Sequence, residues 1–121
     1  MKLRPRTHVI RLHDASDLHG LNKRRVADFT HPADNILLSQ GTMEFAEVKS
    51  TINPTSFAYG DIRKAQKAAC VAARYCGTAY NFYIHSLHHE RWFILPGADV
   101  LADIAAGKKS RKWSELTPWE F

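Results

Sequence analysis

The sequence predicts an α+β domain, with a mixed central β-sheet packed against one main helix, and three observations support this. Short runs rich in β-branched and aromatic residues recur along the 121-residue chain. One alanine-rich stretch, residues 61–76, repeats apolar positions at three- and four-residue spacing, as a half-buried helix does. The runs follow one another as strand, loop, hairpin, helix, hairpin and short helix, an order that suits an α+β domain.

Residues 7–12, THVIRL, read as the first strand, preceded by a basic stub with Arg4, Pro5 and Arg6. Residues 13–32 carry Asp, Ser, Gly and Asn and the run Lys23, Arg24, Arg25, with too little apolar periodicity for a regular element. They read as a functional loop. Residues 35–38 and 43–48 are apolar runs joined by Ser39, Gln40, Gly41 and Thr42, a hairpin with a tight turn. Asn53 and Pro54 break the pattern, and the helix of residues 61–76 ends before Gly77.

In that helix Ile62, Ala65, Ala69, Ala72 and Cys76 form the expected core stripe, with Arg63, Lys64, Lys67 and Arg74 off it. Residues 79–85 and 91–95 read as a second hairpin across Ser86, His88, His89 and Glu90, ended by Pro96 and Gly97. A short helix is expected over residues 98–106, then a basic tail with Lys108, Lys109, Arg111 and Lys112 beside Trp113.

Length and composition indicate one domain over residues 1–121, 45% hydrophobic and 24% charged, as in ordinary globular chains. A domain of this size buries only about two thirds of its unfolded surface, so a homodimer interface is a natural source of added stability. The net charge of +5 favours a polyanionic partner, although many basic proteins bind none specifically. Cys70 and Cys76 lie nearly two helical turns apart, out of disulfide reach, and read as core residues of a reducing compartment. No run is apolar and long enough to span a bilayer, so the expected location is the cytoplasm.

The chemistry concentrates in Glu47-Val48-Lys49. Period two puts Glu47 and Lys49 on one face of a strand and turns Val48 to the other. Asp34 starts the preceding strand, and hairpin pairing can carry its carboxylate to the same face. Two close carboxylates repel and call for a cation; oxygen ligands suit Mg2+, with Mn2+ as a substitute. An acid-x-lysine triplet alone arises by chance in most proteins, and an exposed ion pair on a solvated sheet face is the plain alternative.

Its surroundings are more specific. The segments Pro32-Ala33-Asp34-Asn35-Ile36-Leu37-Leu38, a glycine turn, and Phe45-Ala46-Glu47-Val48-Lys49-Ser50-Thr51 resemble the PD-(D/E)xK nuclease superfamily in order and spacing. Ser56 to Ile62 followed by Gln66, then Gly77 and Arg91-Trp92-Phe93-Ile94-Leu95-Pro96, are similar to RecU-type Holliday junction resolvases and related phage nucleases. The resemblance covers roughly residues 32–101.

It implies a restriction-endonuclease-like core and a metal-dependent endodeoxyribonuclease. Asp34, Glu47 and the Val48 carbonyl are implied as metal ligands, Lys49 as catalytic lysine and Gln66 as supporting the site. Thr51, on the same face as Lys49, is a candidate phosphate contact, and Lys23, Arg24, Arg25, Arg63 and Lys67 are candidate DNA contacts. The superfamily places a helix with an acidic residue before its first strand, and that helix is expected to be reduced or absent here. Either Asp14, Asp17 or Asp28 supplies the acid, or the site works with two carboxylates.

Competing readings are a non-cleaving DNA-binding module on the same fold, and a metalloprotein using the histidines. His85, His88 and His89 lack a second cluster at a familiar ligand spacing and read as hairpin-turn residues; His13 and His31 flank the loop before Asp34. Resolvase, nickase and sequence-specific endonuclease stay open, because loops rather than catalytic strands set substrate choice.

Overall fold

The computed structural model describes residues 7–12 and 33–120. Its strands are β1 (Thr7–Arg11), β2 (Asn35–Ser39), β3 (Thr42–Thr51), β4 (Ser56–Ala58), β5 (Ala79–Ser86), β6 (Arg91–Pro96), β7 (Ser110–Lys112) and β8 (Thr117–Trp119). The helices are α1 (Lys64–Tyr75) and α2 (Gly97–Ala105), with single 3-10 turns at Tyr59–Asp61 and Trp113–Glu115.

Six strands form one sheet in the order β1-β2-β3-β5-β6-β8, while β4 and β7 pair in a separate antiparallel ribbon. All neighbours in the large sheet are antiparallel except β3 and β5. A parallel pair needs a crossover, and here α1 provides it, lying on one face of the sheet. The β2–β3 hairpin closes through Gln40 and Gly41 alone, both at positive φ (47° and 82°), which is the backbone of a type I′ turn.

The helix-covered face holds the main core: Phe82 and Ile84 of β5, Phe93 and Leu95 of β6, Cys70 and Ala73 of α1 and Val100 of α2. Phe57 and Trp113 from the ribbon side pack into the same cluster. The opposite face carries a smaller cluster of Leu37, Ala46 and Tyr83, flanked by Val9, Trp92, Ile94 and Trp119. Among the described residues no helix is long and apolar enough to cross a membrane.

Several sequence expectations are corrected. The helix begins at Lys64 rather than Asp61, because Ile62 stays extended (φ −93°, ψ 121°) and buries its side chain in the core. The buried stripe runs through Gln66, Cys70 and Ala73; Ala65, Ala72 and Cys76 are exposed. Alanines are too small and too evenly spread around this helix to mark its core face. Cys70 is therefore a core thiol and Cys76 is not, and both are free.

Gly97 opens α2 instead of only ending a hairpin. A Cβ there would stand 2.7 Å from the Tyr80 carbonyl oxygen and 3.1 Å from Cys70 Sγ, so α2 can approach β5 and α1 only without a side chain. The basic tail forms β7 and β8, the latter an edge strand that tolerates Pro118. Arg111 holds it down through Asp103 of α2, at 2.9–3.0 Å, while the Tyr59 hydroxyl donates to the same carboxylate.

Candidate active site

The β2–β3 ladder ends at the pair Asn35–Ala46, and the candidate site lies one step beyond it. There the chain replaces backbone pairing with carboxylates. The Asp34 N–H donates to Glu47 Oε2 at 2.9 Å, and the Val48 N–H donates to Asp34 Oδ2 at 3.2 Å. In a strand the N–H and C=O of one residue project toward the same edge, so the Val48 carbonyl also points to the Asp34 side. Asp34, Glu47, Lys49 and Thr51 thus stand on one sheet face, the face covered by α1.

Glu47 is 3% exposed, and its second oxygen accepts from Gln66 Nε2 on the first turn of α1. The Gln66 amide oxygen in turn accepts the Arg63 N–H at 2.9 Å, which ties the start of the helix to β3. Lys49 Nζ lies 3.8 Å from Glu47 Oε1. Burial, and next the Asp34 charge, push the Glu47 carboxyl up to about 7, although the Asp34 N–H, Lys49 and Arg63 pull it down. Cys70, one turn after Gln66, and Tyr80 back the site. Burial, then the Glu47 charge, raises the Cys70 thiol to about 11 and holds the Tyr80 hydroxyl well above its ordinary range.

Two hard carboxylates, one of them kept partly protonated at neutral pH by burial and by its neighbour, form a donor set that a divalent cation would relieve. The main-chain carbonyl of Val48 adds a third oxygen on the same edge. The residues present therefore fit such an ion. Among the described residues no group of three or more His, Cys, Asp or Glu side chains could hold a metal, so His85, His88 and His89 form no such group.

The structure brings Asp34, Glu47, Lys49 and Gln66 together, and the influence of Arg63 reaches Glu47. Arg63 is exposed and Lys67 half-buried at the start of α1. The Thr51 hydroxyl accepts the Asn53 N–H at 3.2 Å and shapes the loop after β3. Lys23, Arg24 and Arg25, the acids Asp14, Asp17 and Asp28, and His13 and His31 lie outside the described residues. His88 and His89 sit in the β5–β6 turn as expected, but His85 belongs to β5 and stacks on Trp92 with ring centroids 4.7 Å apart.

Sequence reasoning missed Cys70 and Tyr80 as the wall behind Glu47. A stripe drawn through Gln66 at helical spacing passes through Cys70, so the signal was present for the first of them.

No family model and no curated protein sequence matches the chain. Among solved structures it is similar to Hjc of Archaeoglobus fulgidus, a Holliday junction resolvase from an archaeal hyperthermophile, with a TM-score of 0.55 and 14% identity. The match covers 91% of this chain and 76% of that one. The mixed sheet, with its helices following the strands, is the restriction-endonuclease-like fold of that neighbour.

Proposed function

We propose that this chain is a divalent-metal-dependent endodeoxyribonuclease of the PD-(D/E)xK type. One observation carries the reading: where β2 parts from β3, Asp34 and Glu47 are locked to each other on the same face as Lys49. Similarity to the resolvase fold supports it, as does the excess of basic residues. The finer reading is action on branched DNA by a homodimer, since the neighbour is a Holliday junction resolvase and such a substrate calls for two paired cuts.

Asp34, Glu47 and the Val48 carbonyl would hold Mg2+, with Mn2+ as a substitute. Such an ion, when bound, lowers the pKa of a coordinated water and offsets charge on the phosphate. The protein's own residues do the rest. Gln66 fixes the Glu47 carboxylate in one orientation. The Lys49 ammonium lies beside Glu47, where it can neutralise a non-bridging phosphate oxygen or orient the attacking water. Hydrolysis joins a water oxygen to phosphorus and releases one ester oxygen as the strand end. Arg63 and Lys67, with Lys23, Arg24 and Arg25, would neutralise neighbouring phosphates, and the Thr51 hydroxyl would donate a hydrogen bond to one.

The test is incubation with supercoiled plasmid and with a four-way junction, in Mg2+, Mn2+ or EDTA. Cleavage is expected only with metal, and Lys49→Ala or Glu47→Ala should lower it by roughly 100-fold or more. Unchanged cleavage in either variant would refute the site. Salt-sensitive DNA binding without cleavage of any substrate would mark a binding module instead.

A further inference from the structure

Strand register places an arginine on the sheet face that carries Glu47 and Lys49. Thr51 pairs with Ser86 and Ser86 with Arg91, so these three form one row across β3, β5 and β6. The neighbouring row on the same face is Lys49, Ile84 and Phe93, and the core positions of Ile84 and Phe93 identify that face as the one covered by α1. Two strand spacings, about 10 Å, separate Thr51 from Arg91.

Beside Arg91 a cleft of about 320 Å³ opens over β6 and β8, next to the turn Trp113–Glu115. Arg91, His89 and Ser114 supply its polar wall and Phe93, Trp113 and Pro118 its apolar one; among the described residues no carboxylate lines it. The Arg91 guanidinium lies over the Phe93 ring, 5.9 Å from its centroid, and among the described residues makes no ion pair, whereas Arg111 is held by Asp99 and Asp103. The walls are firm. The Ser86 hydroxyl, fully buried, accepts the His89 N–H at 3.2 Å, and a His89 ring nitrogen lies 3.0 Å from the Pro54 carbonyl oxygen. Trp113 Nε1 donates to the Asn53 carbonyl at 2.9 Å. The loop that leaves β3 after Thr51 thus holds two residues of the cleft in place, and with them its position relative to Lys49.

Resting on the nuclease reading, we propose that this cleft is a second DNA subsite, in which Arg91 binds a backbone phosphate at a fixed distance from the scissile one. A guanidinium without a carboxylate offers a phosphate two parallel hydrogen bonds, and the apolar wall beside it keeps water from screening their attraction. The Ser114 hydroxyl adds a donor, and Pro118 gives the attached sugar a surface to pack on.

The distance follows from the sheet. Arg91 lies two strands across from Lys49 and two residues further along, about 12 Å in all, which spans three to four nucleotides at about 3.4 Å each. Along β3, Arg63 acts on Glu47, two residues before Lys49, while Arg91 lies level with Thr51, two residues after it. Lys49 therefore stands between two cations. A strand held on both flanks has its scissile phosphate positioned rather than merely attracted.

The test is DNA binding by the full chain in Ca2+, read by fluorescence anisotropy over a range of salt. Arg91→Gln should bind a linear duplex about tenfold more weakly and lower the slope of log affinity against log salt by about 1. Arg91→Lys should keep the slope, and so should Lys108→Gln, which removes an exposed cation outside the cleft. An unfolding midpoint equal to that of wild type shows that Arg91→Gln folds. Position is read with four-way junctions that each carry one methylphosphonate. The phosphate whose neutralisation weakens wild type but not Arg91→Gln should lie about three to four nucleotides from the one that weakens wild type but not Lys49→Ala. An unchanged slope in Arg91→Gln, an equal loss in Lys108→Gln, or no such phosphate at that distance overturns the subsite. Wild type that cuts DNA while Arg91 has no effect removes the subsite alone. Wild type that makes both phosphate contacts but cuts nothing in Mg2+ or Mn2+ would instead remove the nuclease reading and leave the subsite to a binding module.

Discussion

The raised Glu47 carboxyl makes a prediction about stability that needs no substrate. In the unfolded chain this group titrates near its ordinary 4.5; in the fold it titrates at about 7, because burial and then Asp34 disfavour its charge. The folded state therefore holds the proton more tightly than the unfolded one. Below pH 4.5 both states are protonated and nothing is lost. Between 4.5 and 7 the unfolded chain gives up its proton first, and stability falls as pH rises.

The gap, at about 1.4 kcal/mol per pH unit, amounts to about 3 kcal/mol of destabilisation that is complete above pH 7. Glu47→Gln cannot ionise and should lack this slope. Its amide can accept from only one of the two donors, Asp34 N–H and Gln66 Nε2, so its absolute stability starts lower at acid pH.

Urea unfolding from pH 5 to 8.5 in EDTA should therefore show wild type losing up to about 3 kcal/mol relative to the variant. Adding Mg2+ at pH 8 should return stability to wild type alone, by about 2.7 kcal/mol at one hundred times its dissociation constant. Parallel pH profiles for the two proteins would refute the coupling of Glu47 to folding. Equal stabilisation of both by Mg2+ would refute its role as a ligand.

Three further outcomes are expected. Gly97→Ala should destabilise by about 2 kcal/mol in denaturant unfolding, because its new methyl meets a backbone oxygen at 2.7 Å that cannot yield without moving β5. Asp103→Ala should cost about 3 kcal/mol by leaving the Arg111 guanidinium and the Tyr59 hydroxyl without their shared partner; thermal unfolding checks it. Arg63→Ala and Lys67→Ala should each lower the slope of log affinity against log salt by about 1 on linear duplex, and an unchanged slope would place that residue off the phosphate track.

The β2–β3 hairpin was legible because its information is local. A two-residue glycine turn fixes the register, and period two then decides that Asp34, Glu47 and Lys49 share a face. What the sequence hides is set by distant partners. Nothing local says that β5 lies parallel to β3, since that pairing follows from the α1 crossover. An alanine-rich helix gives several nearly equivalent apolar stripes, and only the bond from Gln66 to Glu47 selects the buried one. Asp103 reads as a solvated helix acid until Arg111 and Tyr59 arrive from other elements. The short strands β7 and β8 owe their form to pairing with β4 and β6 rather than to their own residues.

The closing of β2 on β3 through a two-residue turn also makes the hairpin a gauge. Five residue pairs separate the turn from the point where the strands part, and that count sets where Asp34 meets Glu47. Removing one residue from β2 would swing the Asp34 carboxylate through to the opposite side of the sheet, among Leu37 and Ala46. Taking one pair from each strand would also exchange the faces relative to the turn, but would do so for both acids at once and keep them opposed. Chains that share this arrangement are therefore free to lengthen or shorten the hairpin only in matched steps, and an unmatched insertion or deletion of one residue separates the two acids.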